Sequence, residues 1–176
     1  HGGSIELSVT PDASNSSEEV IMTPGSSFVY RVVVENDGRN TLRYRMRPTG
    51  SDEDDLCGDL SLSVQSGDTI FYEGSLLDFS YAAPALEKGN ETIWQLLFTL
   101  PEDVSFNSSV TCELGFHFEA WQDYSFALGM GWYDEAEISL PRMSFDGNES
   151  GEDKDVQEEV VEPLLIPVVE QDSLKD

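Results

Sequence analysis

The sequence predicts an all-β fold, an antiparallel β-sandwich of the jelly-roll or immunoglobulin-like type. Apolar and polar residues alternate with a period of two in one short segment after another. Gly, Pro, Asn and Asp residues separate these segments, as expected for turns between strands. Almost nothing repeats at the helical period of about 3.6 residues. We therefore expect strands that each bury one face in a shared core.

The predicted strands follow one another along most of the chain. Asp37-Gly38 predicts a hairpin between the second and third of them, and Gly67-Asp68 predicts another turn. Residues 126–140 predict one more hairpin. The apolar residues that should share a face are, strand by strand, Ile5, Leu7, Val9; Phe28, Tyr30, Val32, Val34; Leu42, Tyr44, Met46; Leu60, Leu62, Val64; Trp94, Leu96, Phe98, Leu100; and Cys112, Leu114, Phe116, Phe118, Ala120.

The chain divides into two parts by composition. Residues 1–145 are expected to form one β-sandwich domain, a normal size for a single core. Residues 146–176 begin with an acidic, glycine-containing linker that extends to Glu159 and continue with an apolar strand. The chain starts His1-Gly2-Gly3, without the basic start and apolar run of a signal peptide. We expect it to be the processed form of a secreted protein.

The net charge of −26 restricts the partners. Nucleic acid and anionic membrane would both repel such a chain, so neither is expected to bind it. No apolar run reaches the length of about 18 residues that a transmembrane helix needs, so membrane insertion is not expected. The acidic residues serve either to keep the protein dispersed or to bind Ca²⁺. The calcium candidates are Asp52, Asp54 and Asp55 in one segment and residues 146–149 in another, and neither segment has the spacing of an EF-hand loop.

Two features indicate an extracellular location. Cys57 and Cys112 are the only cysteines, and their spacing suits one disulfide better than a metal site. Four of the six asparagines lie in Asn-x-Ser/Thr sequons, where chance predicts about one, so N-linked glycans are expected. The four candidate acceptors are Asn15, Asn90, Asn107 and Asn148.

The segment 160–169 predicts assembly. Seven of its ten residues are aliphatic, and an extended strand would present them on both faces, as in a strand buried on both sides. Pro163 and Pro167 are both at odd-numbered positions, so their missing N–H groups would lie on the same edge of the strand. The strand would then pair along its other edge through residues 164, 166 and 168. Such a segment either docks on its own domain, remains a disordered or partner-binding tail, or enters a neighbouring subunit by β-strand addition. We favour the last, with identical subunits as partners and with donor residues Val160, Val161, Leu164, Leu165, Ile166, Val168 and Val169.

A stripe of arginines is the main basic feature of the chain. Arg43, Arg45 and Arg47 alternate on the outward side of one predicted strand. They form either a solvated strand face or an inter-subunit patch that docks an acidic loop, such as 52–55, of a neighbour. Replacing all three with glutamate should then abolish fibres and leave the monomer folded.

Several segments resemble the TasA/camelysin-type biofilm matrix fibre proteins, a family that includes archaeal bundling pilins. The resemblance covers about residues 3–122. It rests on the segments Gly3–Ser8, Thr23–Phe28 with Val32–Gly38, Leu56-Cys57, Trp94–Pro101 and Cys112–Gln122, the last of which reads CELGFHFEAWQ. The resemblance implies a jelly-roll sandwich, export, and polymerisation into extracellular fibres.

In that family an N-terminal strand is donated to the adjacent subunit. Only His1 and Gly2 precede the matching strand here, which is too few to reach a neighbour. Either residues 1–10, with Ile5, Leu7 and Val9, are the donor, or the segment 160–169 has that role. We favour the segment 160–169.

Catalysis is not expected. The camelysin branch has been regarded as metalloprotease, but this chain has two histidines, His1 and His117, and no H-E-x-x-H motif. His117 is predicted to be a surface histidine near Glu113, Glu119 and Trp121 on the outward face of its strand. No nucleophile elbow or phosphate-binding loop occurs, and no cofactor is implied. The main alternative to a fibre subunit is a surface adhesin or S-layer-type immunoglobulin-like module that acts alone.

Overall fold

Two antiparallel sheets pack face to face in the computed structural model, which describes residues 5–15, 18–50, 56–122 and 133–147. The strands in these ranges are β1 (Leu7–Pro11), β2 (Val20–Ile21), β3 (Ser27–Asn36), β4 (Leu42–Thr49), β5 (Ser61–Ser66), β6 (Thr69–Ser75), β7 (Tyr81–Ala82), β8 (Glu91–Thr99), β9 (Val110–Cys112), β10 (Gly115–Gln122), β11 (Tyr133–Ser139) and β12 (Met143–Phe145). A short 3-10 helix covers Leu56–Asp59. The all-β sandwich predicted from the sequence is confirmed.

The sheets differ in size and in strand order. One has five strands in the order β1-β3-β8-β5-β6, and the other has four in the order β11-β10-β4-β7. A small third sheet, β2-β12-β9, lies beside them, and in it β12 runs parallel to β2. No helix within the described ranges is long and apolar enough to cross a membrane.

The core lies between the two sheets and contains the residues that the alternation predicts. Trp94 and Phe98 of the five-stranded sheet and Tyr44 and Phe116 of the four-stranded sheet are at most 1% exposed. The rings of Phe98 and Phe116 are 6.4 Å apart, so the two inner faces meet there. Nε1 of Trp94 donates to the Tyr44 hydroxyl at 2.7 Å, so the buried indole is satisfied by the opposite sheet.

The predicted Asp37-Gly38 hairpin is wrong. Strand β3 pairs with β1 and β8, whereas β4 belongs to the other sheet, so residues 37–41 cross between sheets. Gly38 is needed there for a close approach, because a Cβ at this position would lie 2.6 Å from the backbone nitrogen of Glu6. The side chain of the fully buried Asn36 holds the crossing by donating to the carbonyls of Asn40 and Leu86 and accepting from the Gly38 amide.

The Gly67-Asp68 turn joins β5 and β6 as predicted. These two strands pair antiparallel, and Gly67 has a φ of +61°, a conformation that glycine adopts without strain. The last predicted hairpin differs, because β11 pairs with β10, and residues 123–132 lie outside the described ranges.

A disulfide joins Cys57 of the 3-10 helix to Cys112 at the end of β9, across a sequence separation of 55 residues. Both cysteines are fully buried. On the chain-entropy description, closing a loop of this length stabilises the fold by about 4 kcal/mol.

Candidate functional site

The outer face of the four-stranded sheet carries most of the chemistry-bearing side chains that the structure brings together. Strands β4, β10 and β11 lie side by side, so outward residues form cross-strand rows. We call this surface the charged face. Its three rows are Arg47–His117–Glu137, Arg45–Glu119–Glu135 and Arg43–Trp121–Tyr133. The face is therefore basic along β4 and acidic along β11.

His117 lies at the centre of the acidic part of this face, and its side chain is 12% exposed. Its Nδ1 is 3.3 Å from Oε2 of Glu137. Its Nε2 is 3.8 Å from Oε2 of Glu119 and 4.0 Å from Oε2 of Glu135. Carboxylates thus lie close to both ring nitrogens.

Glu113 does not join this group, although the alternation placed it beside His117. The run 112–120 is broken at residues 113 and 114, between β9 and β10, so Glu113 does not continue the face of β10. It instead pairs with Arg142, whose Nε lies 3.0 Å from Oε2 of Glu113. Glu135 and Glu137 were missed because the sequence did not indicate that β11 pairs with β10.

Tyr133 sits at the edge of the same acidic group. Its hydroxyl donates to Oε2 of Glu135 at 2.5 Å and is 3.5 Å from Oε2 of Glu119. The hydrogen bond to the Glu135 carboxylate, helped by partial desolvation and by the two negative charges, raises the pKa of Tyr133 to about 12. The phenol therefore remains a hydrogen-bond donor to these carboxylates over the neutral pH range.

The arginines lie where the alternation placed them, exposed on β4. In the part of the chain that the structure describes, neither Arg45 nor Arg47 forms an ion pair within 4.0 Å. Arg45 faces Glu119 across the sheet, but the two side chains are not paired. Arg45 and Arg47 are thus solvent-exposed positive charges on the basic side of the charged face.

The sheet edges decide where a further strand could add. Strand β1 is protected because it contains Pro11 and because its Leu7 amide donates to the Asp134 carboxylate of β11 at 2.9 Å. Strand β11 has three acidic residues among its seven, and β7 has only two residues. Charge and shortness both discourage pairing with another chain.

Strand β6 lacks these protections. It has seven residues, no proline and a single charged residue, Glu73. It pairs with β5 on one side and, among the described residues, with no strand on the other. Ile70 on this strand is 52% exposed. A long, exposed and nearly uncharged edge is the kind that accepts an added strand.

The two candidate donor segments have different positions relative to the described structure. Leu7 and Val9 belong to β1, which pairs with β3 of its own chain, and Ile5 is 1% exposed. The first candidate is thus seated in its own sandwich. The second candidate, Val160, Val161, Leu164, Leu165, Ile166, Val168 and Val169, lies outside the described residues.

The sequons and the calcium candidates are placed only in part. Asn90 and Asn107 are exposed. Asn15 is half-buried. Its Nδ2 donates to the backbone carbonyl of Arg31 at 2.6 Å, and its Oδ1 accepts from the backbone N–H of Arg31 at 2.8 Å. Asn148 and the calcium candidates Asp52, Asp54 and Asp55 lie outside the described ranges.

No protein-family model and no curated protein sequence matches the chain. Among solved structures, the chain is similar to AvmM, which catalyses macrocyclization in alchivemycin A biosynthesis, with 13% identity and a TM-score of 0.40 over 78% of this chain and 89% of that one. It is also similar to a PapD-like domain of human CEP192, with 11% identity and a TM-score of 0.35 over 83% and 86% of the two chains.

A third similarity is to AggA, the major subunit of aggregative adherence fimbriae type I from Escherichia coli. Identity is 8% and the TM-score is 0.35, over 81% of this chain and 93% of that chain. One similar protein is thus catalytic and another is a fimbrial subunit. At these TM-scores the similarities do not discriminate between functions.

Proposed function

We propose that this protein is an extracellular, non-catalytic structural subunit that assembles with identical copies by β-strand addition. The observation that carries the proposal is the unprotected outer edge of β6. Three of the four edges of the two main sheets are covered, charged or very short, whereas β6 is seven residues long with one charge. Natural sheets rarely leave such an edge unless a strand pairs with it.

The donor in this proposal is the segment 160–169 of a neighbouring subunit. Its two prolines lie four residues apart, so both lack an N–H group on the same edge of the strand, and the other edge keeps all its N–H groups. The complete edge pairs with β6 and the proline edge faces away, which ends the sheet after one added strand. The linker, residues 146–159, spans up to about 45 Å when extended, enough to reach an adjacent subunit.

The basic side of the charged face supplies a second contact. Arg43, Arg45 and Arg47 are the most concentrated positive charge on a chain of net charge −26. In the proposed assembly they accept an acidic segment of a neighbour, such as 52–55. Complementary charge of this kind raises the rate of encounter and selects the partner more than it adds affinity.

Strand addition is tested first by size-exclusion chromatography and negative-stain imaging of the purified chain. The wild-type protein should form fibres, and a variant lacking residues 156–176 should stay monomeric. A wild-type chain that remains a monomer at all concentrations would contradict the proposal, and would favour the alternative, a surface module that acts alone.

The receiving edge is tested by a matched pair of substitutions. Ile70 on β6 is 52% exposed and Ile93 on β8 is 44% exposed, but β8 is an interior strand with partners on both sides. Ile70→Lys places a charge on the open edge and should suppress fibre formation. Ile93→Lys makes the same chemical change away from any edge and should leave it intact. Equal fibre formation by the two variants would exclude β6 as the acceptor.

A further inference from the structure

The group around His117 has the composition of a metal site rather than of a purely acidic surface. One imidazole and two carboxylates, from His117, Glu119 and Glu135, each place a donor atom within 4.8 Å of the others. His117 and Glu119 are two residues apart on one face of β10, and Glu135 lies opposite Glu119 on β11. The three donors are therefore held by the pairing of two strands, not by a loop.

The separations suit a small ion. Nε2 of His117 is 3.8 Å from Glu119 Oε2 and 4.0 Å from Glu135 Oε2. In tetrahedral coordination with bonds of about 2.1 Å, donor atoms lie roughly 3.4 Å apart. Each of these two pairs needs to close by about half an ångström, and the two carboxylate oxygens, which lie within 4.8 Å of each other, also need to approach. Side-chain rotation of the glutamates, which are 33% and 50% exposed, can supply this.

The other ring nitrogen of His117 provides a separate observation that points to a metal. Nδ1 lies 3.3 Å from Oε2 of Glu137. A metal-binding histidine usually donates its second N–H to a carboxylate, which fixes the tautomer and strengthens the ligand. With the proton on Nδ1, the lone pair of Nε2 faces Glu119 and Glu135. The Tyr133 hydroxyl donates a hydrogen bond to the Glu135 carboxylate and helps to hold that ligand in place.

The donor set selects the class of ion. A nitrogen ligand with two carboxylates suits Zn²⁺ and other first-row divalent ions, whereas Ca²⁺ prefers six to eight oxygen ligands. Three carboxylates around one imidazole repel one another, and a bound divalent ion relieves this repulsion.

We propose that His117, Glu119 and Glu135 bind one Zn²⁺ ion, with solvent as the fourth ligand and with Glu137 and Tyr133 as supporting residues. The ion joins β11, an edge strand, to β10, an interior strand of the four-stranded sheet. The site is independent of assembly through β6, since no ligand lies on β6 or in the segment 160–169. It is structural, and no reaction is assigned to it.

Isothermal titration calorimetry of the full chain with zinc chloride tests the site, with calcium chloride as a second titrant. The wild-type chain should bind one Zn²⁺, and excess Ca²⁺ should not displace it. His117→Ala and Glu135→Gln should each weaken binding at least about tenfold, and Glu137→Ala by about 10- to 100-fold through loss of the supporting hydrogen bond. His1→Ala is the matched control, because His1 is the other histidine of the chain, and it should bind as the wild type does.

A second readout separates a specific site from general attraction to an acidic protein. Saturating zinc should raise the melting temperature of the wild-type chain and of His1→Ala, but not of His117→Ala. Thermal melting without metal shows whether each variant is folded, and Glu135→Gln is the conservative alternative if His117→Ala is not. Absence of binding, equal binding by wild type and both ligand variants, or loss of binding in His1→Ala would each overturn the proposal.

Discussion

The two sheets have similar inner faces and very different outer faces. Inward, both contribute large apolar side chains, with Trp94 and Phe98 on one side and Tyr44 and Phe116 on the other. Outward, the five-stranded sheet pairs Val29 with Leu97 and Val33 with Ile93, whereas the four-stranded sheet carries the charged face. The sandwich fold requires only the inward-facing residues to be apolar. The residues of each outer face can therefore differ and serve different functions.

The edges repeat this difference. The four-stranded sheet ends in the acidic β11 and the two-residue β7, and both discourage further pairing. The five-stranded sheet ends in the protected β1 and the open β6. In our proposals one sheet therefore receives a strand along its edge, and the other binds charged groups and an ion on its face.

The equivalence of the inner faces predicts the largest effect. Phe98 and Phe116 come from different sheets and are at most 1% exposed, so Phe98→Ala and Phe116→Ala should each lower the free energy of unfolding by about 3–5 kcal/mol. Because their rings are in contact, the double variant should lose less than the sum of the two. Denaturant unfolding measures all three. A loss below about 1 kcal/mol for either single variant would contradict a shared core.

The next effect concerns the hydrogen bond that joins the sheets. Tyr44→Phe leaves the buried Trp94 N–H without its acceptor and should lower the free energy of unfolding by about 1–3 kcal/mol. Tyr133→Phe, on the exposed outer face, is the matched control and should cost less. A loss in Tyr44→Phe no larger than that in Tyr133→Phe would contradict a special stabilising role for this hydrogen bond between the sheets.

Tyr44 also predicts how the stability of the fold depends on pH. Burial raises the pKa of Tyr44 to about 12, from about 10 in the unfolded chain. The folded state then keeps a proton that the unfolded state releases, so this contribution is complete below pH 10 and is lost as the pH rises towards 12. The loss is at most about 3 kcal/mol. Melting temperatures measured from pH 9 to 12 should fall less steeply in Tyr44→Phe than in the wild type.

Charge on the two outer faces should matter unequally for assembly. Changing Arg43, Arg45 and Arg47 to Gln removes three positive charges from the charged face, and changing Thr10, Gln65 and Gln95 to Glu shifts the net charge equally on the other sheet. Only the first set should slow fibre growth several-fold at low salt, as followed by light scattering. Equal slowing would mean that total charge, and not the arginine patch, sets the rate.

The smallest effect is expected on the aliphatic outer face. Ile93→Thr keeps β-branching and changes a side chain that is 44% exposed, so the free energy of unfolding should change by no more than about 0.5 kcal/mol. Denaturant unfolding measures this as well. A loss above about 2 kcal/mol would indicate that this face is covered by another part of the protein.

The sequence patterns correctly predicted the features that depend on neighbouring residues, namely the buried face of each strand and the turn between adjacent strands. Alternation identified the buried residues of β3, β4, β8 and β10, because a strand has only two faces and one of them must be apolar. The Gly67-Asp68 turn was predicted correctly because its two strands are neighbours in the sheet. Asp37-Gly38 has the same chemistry, but its glycine serves a close contact with the backbone of residues 5 and 6, which are distant in sequence.

The candidate site could not be predicted from the sequence for the same reason. His117 was correctly placed on an outer face, but its nearest carboxylate belongs to Glu137, 20 residues further along the chain. Only the pairing of β10 with β11 brings the two together, and strand pairing depends on the whole fold. The available signal was the alternation Glu135-Ala136-Glu137, which complements His117-Phe118-Glu119 when the two strands are aligned.

The disulfide has a mechanical consequence for a chain that is pulled from both ends. Cys57 and Cys112 are 55 residues apart in the sequence, and the loop that they close contains all of β5, β6, β7 and β8. Tension passes through the sulphur–sulphur bond and bypasses this loop, so an extended subunit is shorter by roughly 190 Å, at about 3.5 Å per residue. Strands β5 to β8 therefore lie outside the covalent path of tension between the two ends of one chain, and reduction of the bond would add this loop to that path.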